Sequence, residues 1–327
     1  QDDLSDLETY CQMIGVKPDG SRDPDSNRLL DPVNLVDYML IIFYGGNLDA
    51  PISWFGHNRG GNNWHGLING TQNKGFRFII WDAEHTLLDL QEDRLGPFPI
   101  GDTADRSNPH WLYQRLLENE EFRVLLTDRI SKHFFRDGVL TPSYVRKLFD
   151  RRIAEIEPAL FAEAARWGNP RKTYESVLTN SEWRVETHNS GVAKHQSWFA
   201  EVNRTKNQYI PHRTEVVVNQ LFSRGLYPDL PEISVRWSEG DNQELELMAG
   251  RFKIYYTTTG QDPRMFGGGL HADAHLYEKP LTIVNTDGDR VLCRILEDEE
   301  WGPLREIILN ESDKKNETTY PSESRQP

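Results

Sequence analysis

The chain has 327 residues and a formal net charge of −14, and 37% of its residues are hydrophobic, enough for two or three ordinary domain cores. The acidic excess argues against a nucleic-acid partner, because binding a phosphate backbone normally requires a basic surface. The only cysteines, Cys11 and Cys293, fit neither a zinc spacing nor a disulfide framework, and a bridge between them is disfavoured. No apolar run reaches the roughly 20 residues that a transmembrane helix needs. Because the chain starts at Gln1, we expect it to be part of a longer polypeptide.

The N-terminal part predicts two helices, a long polar loop and one strand. Residues 4–14 favour a short helix, and a second begins at Pro32, with apolar residues recurring at helical spacing. Residues 45–75 are rich in Gly and Asn and lack sustained periodicity, which indicates a loop with room for a short strand around Trp54. Residues 76–81 are aromatic and β-branched enough to predict a strand.

Helices dominate the middle of the chain. Most of the predicted helices start at a capping side chain or a proline. They begin at Asn108-Pro109, near Glu120, at Thr141-Pro142 and at Trp198. The third is expected to kink or end at Pro158, and the last to reach Phe222 with an interruption at Pro211.

The C-terminal part predicts short strands. Residues 226–231 have the composition of a linker, and the runs that follow are separated by turn residues at the spacing of a small β-sandwich. These runs are Ile233–Trp237, Phe252–Thr258, Leu281–Val284, Val291–Ile295 and Ile307–Leu309. Residues 311–327 have the composition of a disordered tail.

Two carboxylates at the ends of apolar segments are the strongest candidates for chemistry. Asp49 follows a Gly-Gly-Asn turn after the second helix, and Asp82 follows the strand predicted at residues 76–81. Metal-assisted phosphoryl transfer uses two such acids in one cleft. One of them holds the cation, and the other accepts the proton of the attacking hydroxyl.

Both acids also have purely structural interpretations. Asp49 could cap its own turn. Asp82 is expected to be partly buried, and a divalent cation would offset its desolvation, but so would an arginine partner or a helix starting at Ala83. A third interpretation is a metal-dependent hydrolase in which Asp82, Glu84 and His85 converge as ligands. Nothing else in the sequence matches a nucleophile motif or a phosphate-binding loop.

The segments around both acids resemble the CotH-type (spore coat protein H) kinase family. The resemblance rests on YMLIIFYGGNLDAP at residues 38–51 and FRFIIWDAEH at residues 76–85, and it extends over about residues 1–228. It implies an atypical protein kinase that uses ATP and Mg²⁺ or Mn²⁺ to phosphorylate secreted or coat proteins. By position, Asp49 matches the catalytic aspartate and Asp82 the metal-binding aspartate. Asn47, in the same motif, is the candidate nucleotide contact.

The chain departs from the family pattern in two ways. The resemblance covers only the larger, C-terminal lobe of a kinase. The lobe that supplies the nucleotide-gripping lysine should precede Gln1, so we expect the isolated chain to be inactive. Ser53 stands where an amide is expected as a second metal ligand. The alternative is therefore a catalytically inactive pseudokinase that serves as a scaffold for surface adhesion or for envelope or carbohydrate binding.

The C-terminal part resembles the chitobiase C-terminal/fibronectin-III-associated domain. The resemblance is carried by GRFKIYYTTTGQDPR at residues 250–264 and continues through residues 291–304. Such domains are immunoglobulin-like sandwiches of secreted or surface proteins, which makes polysaccharide a candidate ligand. Tyr255, Tyr256 and Trp301 could form a sugar platform, although packing in the core is the favoured use.

Together these patterns predict an α+β protein. Residues 1–228 form a mostly helical, protein-kinase-like C-lobe with a short β element, residues 229–310 an immunoglobulin-like β-sandwich, and residues 311–327 a disordered tail. The predicted function is metal-dependent transfer of the γ-phosphate of ATP to Ser or Thr of an extracytoplasmic protein. We expect a secreted or cell-surface protein that has no nucleic-acid partner.

Overall fold

The structure is a computed structural model that describes residues 3–69, 71–99, 108–160, 183–185, 194–196, 198–238, 244–282 and 290–309. It combines helices with small antiparallel sheets, as an α+β chain should. Within these ranges, no helix has both the length and the apolar character needed to cross a bilayer. The predicted tail at residues 311–327 lies outside the described residues.

Helix α2 (Pro32–Gly45) is the central element of the N-terminal part. Helix α1 (Leu7–Ile14) precedes it, capped by Asp6, whose side chain accepts from the Thr9 amide at 2.8 Å. Most residues of α2 are buried, and they lie on more than one face, so the helix is surrounded by other elements. Asp31 caps its first turn, and Gly46, with φ of +58°, ends it in the left-handed conformation.

A two-stranded antiparallel sheet packs against α2. Strand β1 (Trp64–Leu67) pairs with strand β2 (Arg77–Ile80). The strand predicted at residues 76–81 is confirmed, whereas the short strand expected near Trp54 lies instead at β1. Asn34 links α2 to this sheet through two hydrogen bonds. Its side-chain oxygen accepts from the backbone amide of Phe78, and its side-chain nitrogen donates to the Phe78 carbonyl. Two polar bonds and the buried Phe78 ring therefore fix the end of β2 relative to α2.

The middle of the chain is helical, as predicted. Its helices are α3 (Pro109–Leu116), α4 (Glu120–Phe134), α5 (Pro142–Ile156), α6 (Trp198–Arg204) and α7 (Ile210–Ser223). Helix α5 passes at Glu157–Ala159 into a 3₁₀ turn. The interruption expected at Pro211 lies before that residue, as a π-helical turn at Thr205–Tyr209, and Pro211 itself is in the first turn of α7. Thr141 is correct as the N-cap position but not as a side-chain cap, because its hydroxyl donates to the Gly138 carbonyl. The described residues also include an antiparallel pair of strands, β3 (Trp183–Val185) and β4 (Lys194–Gln196).

The C-terminal β unit, residues 229–309 as far as they are described, contains two antiparallel sheets. One contains β5 (Ser234–Trp237), β6 (Glu244–Met248) and β9 (Leu281–Thr282). The other contains β7 (Lys253–Thr257), β8 (His275–Leu276), β10 (Arg290–Glu297), β11 (Glu300–Trp301) and β12 (Arg305–Ile308). All five predicted runs contain strand residues, although residues 283–284 lie outside the described residues. The immunoglobulin-like assignment stays a prediction.

Two hydrophobic clusters divide the chain near the predicted linker. The buried members of the first lie between Leu4 and Tyr227, and those of the second between Ile233 and Ile307. The second cluster contains residues of both sheets, so the sheets of the C-terminal β unit share one core. Cys11 and Cys293 are both buried and are not joined to each other, as the sequence favoured.

Candidate functional site

The end of α2 and the segment after β2 are tied together by backbone hydrogen bonds. The Leu48 amide donates to the His85 carbonyl at 3.1 Å, and the Leu87 amide donates to the Gly45 carbonyl at 2.8 Å. These bonds bring the turn carrying Asp49 beside the segment carrying Asp82. The sequence predicted this convergence, and the geometry brings the two segments together.

Asp49 is a carboxylate held in place by neutral donors. Its Oδ1 accepts from the Ser53 hydroxyl at 2.5 Å, and its Oδ2 accepts from the side-chain amides of Asn62 and Asn63 at 2.9 Å each. A carboxylate has about four lone-pair positions, so these three bonds leave about one for another donor. The side chain is oriented by its neighbours and remains partly exposed.

Asn47 stabilises the turn that carries Asp49. Its side-chain oxygen accepts from the Asp49 amide at 2.9 Å, which forms a tight turn around Leu48. The residue is only 1% exposed, and its Nδ2 has no hydrogen-bond partner among the described residues. The observed contact is a positioning one, and nucleotide contact by Asn47 stays a prediction.

Asp82 differs from the sequence expectation in its surroundings. The residue is exposed rather than partly buried, and its backbone has a φ of +48°. No helix begins at Ala83, and the Asp82 carboxylate makes no ion pair or hydrogen bond within the described ranges. The helix-cap interpretation of Asp82 is therefore wrong, and among the described residues no arginine pairs with its exposed carboxylate.

Asn63 connects the two acids and was missed from the sequence. Its Nδ2 donates both to Asp49 Oδ2 at 2.9 Å and to the Asp82 carbonyl at 3.2 Å. An amide was expected near Ser53, but the Ser53 hydroxyl is used by Asp49 and the amides come from Asn62 and Asn63. The only signal in the sequence was an Asn pair just before an aromatic strand residue, within a loop that contains several other asparagines.

The hydrolase interpretation is not supported. Glu84 lies 3.4 Å from His85 Nε2, and the His85 ring packs on Phe55 with ring centroids 4.9 Å apart. Across the part of the chain that the structure describes, no three His, Cys, Asp or Glu side chains are grouped to hold a metal ion. The convergence of Asp82, Glu84 and His85 that this interpretation required is absent there.

Buried polar side chains hold the loop that follows Asp49. Asn108 Nδ2 donates to the Pro51 carbonyl at 2.6 Å. The Arg94 guanidinium donates to the Ile52 carbonyl and, at 2.9 Å, to Asn58 Oδ1. Burial lowers the pKa of Arg94, although the charge of Glu92 opposes this shift. Each carbonyl would otherwise be a costly unpaired acceptor, so these bonds fix the loop in one conformation.

His110 makes the stability of this part of the protein sensitive to acid. The ring is almost completely buried, and its Nε2 lies 3.3 Å from the Leu95 carbonyl. Burial lowers the pKa of His110 to about 3. A neutral buried histidine contributes stability above its unfolded pKa of about 6.5, and this contribution is lost as the pH falls toward the folded value.

We therefore predict that stability falls between about pH 6.5 and pH 4 by an amount on the order of 2–4 kcal/mol that is due to His110. Denaturant unfolding of the wild type and His110→Gln at several pH values measures it. The variant should lack this part of the slope, since its amide does not titrate. Equal slopes in the two proteins would show that His110 does not cause the acid sensitivity.

One family model matches most of the chain. The model described as CotH kinase protein matches residues 1–214, which include both acids, Asn63 and the loop supports. No curated protein and no solved structure matches the chain. Because the match covers well over half of the 327 residues, the chain belongs to the CotH kinase protein family.

Proposed function

We propose that the chain carries the acceptor base and the metal ligand of an atypical protein kinase. In this proposal it transfers the γ-phosphate of ATP to Ser or Thr of an extracytoplasmic protein. The observation that carries the proposal is the Asn63 amide, which bonds to the Asp49 carboxylate and to the Asp82 carbonyl. This bond holds the backbone of Asp82 near the Asp49 carboxylate, which supports a site in which both acids take part in phosphoryl transfer. Membership of the CotH kinase protein family supports the reaction class.

Asp49 is the proposed base. The lone-pair position that its three neutral donors leave open can accept the proton of the acceptor hydroxyl. The hydroxyl oxygen forms the new bond to the γ-phosphorus, and the bond to the bridging oxygen breaks, leaving its electron pair on ADP. Fixing the carboxylate in advance keeps the attacking oxygen aligned.

Asp82 is the proposed metal ligand, and the residues present fit Mg²⁺ or Mn²⁺. Such ions are held by one or two carboxylates together with phosphate oxygens and water. The Asp82 carboxylate is exposed and without a partner in the described ranges, and the Asn63 side-chain oxygen accepts no hydrogen bond there. When bound, the cation would neutralise charge on the phosphates. With so few protein ligands, we expect it to enter with the nucleotide.

Asn63→Gly tests whether the amide bridge matters. Glycine tolerates the φ of +43° at this position, so the change removes the amide without straining the backbone. We expect phosphate transfer to fall roughly 10- to 100-fold, the effect typical of groups that orient metal ligands. The control Asn62→Ala removes a bond to Asp49 but none to Asp82, and its rate of phosphate transfer should fall less. Equal losses would deny Asn63 a special role.

The direct test uses the full-length polypeptide that carries these residues. It is incubated with γ-labelled ATP, Mg²⁺ or Mn²⁺ and a peptide library containing Ser or Thr. We expect label on acceptor hydroxyls, abolished by EDTA. Release of labelled phosphate without any labelled peptide, or no reaction with either cation, would overturn kinase activity.

A pseudokinase scaffold is the second candidate, and Ser53 favours it. Its hydroxyl is committed to Asp49 and is not a free second metal ligand. Thermal unfolding with and without Mg-ATP separates the cases, because only a protein that binds the complex is stabilised by it. Stabilisation without transfer indicates a nucleotide-binding pseudokinase, and no stabilisation indicates a pure scaffold.

The location outside the cytoplasm and a polysaccharide ligand for the C-terminal β unit are also proposals, supported by the resemblances alone. The Tyr255 and Trp301 rings meet edge to face at 6.2 Å, and the Trp301 indole N–H donates to the Gly268 carbonyl at 3.0 Å. These contacts favour a packing role over an open sugar platform.

A further inference from the structure

Helix α4 presents two acids to the C-terminal β unit. Glu121 and Asp128 are seven residues apart, which is close to two helical turns, so they lie on one face of the helix. Glu121 is buried and Asp128 is mostly so. Acids in such a position require cationic partners from the facing element.

Arg294 of β10 is the partner of Asp128, and it is 2% exposed. Its two terminal nitrogens each donate to an Asp128 oxygen at 2.7 Å, and it bonds to Asp262 at 2.6 and 2.8 Å. A fifth bond reaches the Gly302 carbonyl at 2.9 Å. All five N–H donors of the guanidinium are therefore used. Although burial alone would lower the pKa of Arg294, the charges of Asp128 and Asp262 raise it.

Arg264 makes a second connection of the same kind. It lies between β7 and β8 and donates to both Glu121 oxygens, at 2.6 and 2.9 Å. The Gly267 amide adds a bond to Glu121 at 3.0 Å, and the Leu304 amide donates to Asp128 at 2.8 Å. The loop that carries the resemblance to the chitobiase C-terminal domain is thus directed at α4.

An adjacent face of α4 contacts α2, the helix that leads to the candidate site. Arg129 donates to both oxygens of Asp37 in α2, at 2.6 and 2.7 Å, and His133 contacts the same carboxylate at 3.1 Å. Burial would raise the pKa of Asp37, but the bonds from His133 and Arg129 outweigh it and lower the pKa. Asp128 and Arg129 are consecutive, so the two connections lie about 100° apart around α4.

We propose that the C-terminal β unit is a permanent intramolecular partner of α4, and that Arg294 is a positioning residue for the candidate site. The unit fixes α4 through its two buried arginines, and α4 fixes α2, which ends just before Asp49. Only the last step, the effect on phosphoryl transfer, rests on the proposed function. An independent adhesion module would not direct two buried arginines at the rest of the chain.

Hydrogen exchange and thermal unfolding of the full chain test this inference with Arg294→Met. The change leaves Asp128 and Asp262 without their cation, and breaking a buried pair in this way is strongly destabilising. We expect the melting temperature to fall by roughly 5–15 °C, with faster amide exchange in α4 and in the last turns of α2 as well as in β10. The control Arg290→Met removes an exposed arginine from the same strand and should shift melting by no more than about 2 °C.

Faster exchange confined to the C-terminal β unit, with α4 unchanged, would overturn the proposal. If Arg294→Met does not fold, Arg294→Lys is measured with the same two outcomes, because lysine keeps the charge but cannot form the five bonds. Neither readout depends on catalysis. Absence of phosphoryl transfer would therefore count against the proposed function alone, and unchanged α4 exchange against this inference alone.

Discussion

Replacing Asp49 by Asn is expected to lower the rate constant kcat for phosphate transfer by about 10²–10⁴-fold in the full-length polypeptide. The amide has the shape of the carboxylate but cannot take the proton of the acceptor hydroxyl. Its oxygen can still accept from Ser53 or from the Asn62 and Asn63 amides, so the loop should keep its conformation. We therefore expect the melting temperature and the KM for ATP to change little. Initial rates with γ-labelled ATP and circular dichroism melting measure these quantities.

Asp137→Asn is the matched control for this prediction. Asp137 is an exposed aspartate on the loop between α4 and α5, and its replacement should leave the rate unchanged. A fall in kcat of less than about threefold for Asp49→Asn would remove Asp49 from the role of base. A large rise in KM with kcat preserved would assign it to binding instead.

Arg213→Met is expected to lower the free energy of unfolding by about 3–5 kcal/mol. Arg213 of α7 is completely buried, and its guanidinium donates to carbonyls of Phe43 and Tyr44 at the end of α2. It also donates to the carbonyls of Leu90 and Glu92. Methionine fills a similar volume but leaves all four carbonyls without this donor, and the bonds to Phe43 and Tyr44 are the buried ones. Urea unfolding followed by circular dichroism measures the loss.

Arg224→Met is the matched control, since Arg224 lies just after the same helix but is about one-third exposed and pairs with Asp93. Removing the pair of Arg224 with Asp93 should lower the free energy of unfolding by no more than about 1 kcal/mol. Similar values for both variants would show that the carbonyls find other partners, and that Arg213 does not hold the end of α2. The stability loss of Arg213→Lys should lie between those of Arg213→Met and Arg224→Met, because an ammonium group has fewer donors in a less suitable geometry.

The helices were predictable because each carries local signals that agree with its packing. Asp31 and Asn108 cap helices that start with proline, and most apolar residues of α2 are buried, although Val33 and Ile41 are exposed. The strands at residues 253–257 and 290–297 were predictable from β-branched and aromatic runs. Strand β6 (Glu244–Met248) was missed although its alternation of Glu with Leu is a strand pattern, because Glu is depleted in strands and the preceding residues have turn composition.

The two acids of the candidate site could be proposed from the sequence because each ends an apolar segment, which is a local pattern. The polar residues that bond to these acids could not be predicted, because hydrogen bonds between residues distant in the chain leave no periodic pattern in the sequence. Asn63 is one asparagine among several in a loop, and only the fold shows that it bonds to the Asp49 carboxylate and to the Asp82 backbone carbonyl. Arg294 and Asp128 are 166 positions apart, and a strand arginine in sequence is ordinarily exposed.

The exposure of Asp82 shows a limit of reasoning from burial. A strand that ends in Ile80 suggested that the following carboxylate would be desolvated. Instead, Trp81 is 56% exposed and Asp82 has a left-handed backbone, so the chain turns outward as soon as the strand ends. The hydrophobicity of β2 therefore predicted that Asp82 follows the end of the strand, but it did not predict that the carboxylate is exposed to solvent.

Titration of ATP binding by calorimetry, in Mn²⁺ and in EDTA, tests the shared site of Asp49 and Asp82 most directly. The full-length polypeptide should bind ATP in Mn²⁺ and bind it much more weakly in EDTA. Asp82→Asn should weaken the Mn²⁺-dependent binding at least about tenfold, which is 1.4 kcal/mol, and Asp49→Asn should weaken it no more than about threefold. Binding that is equal with and without the cation, or unchanged in Asp82→Asn, would contradict a metal-nucleotide site in which Asp82 is the metal ligand.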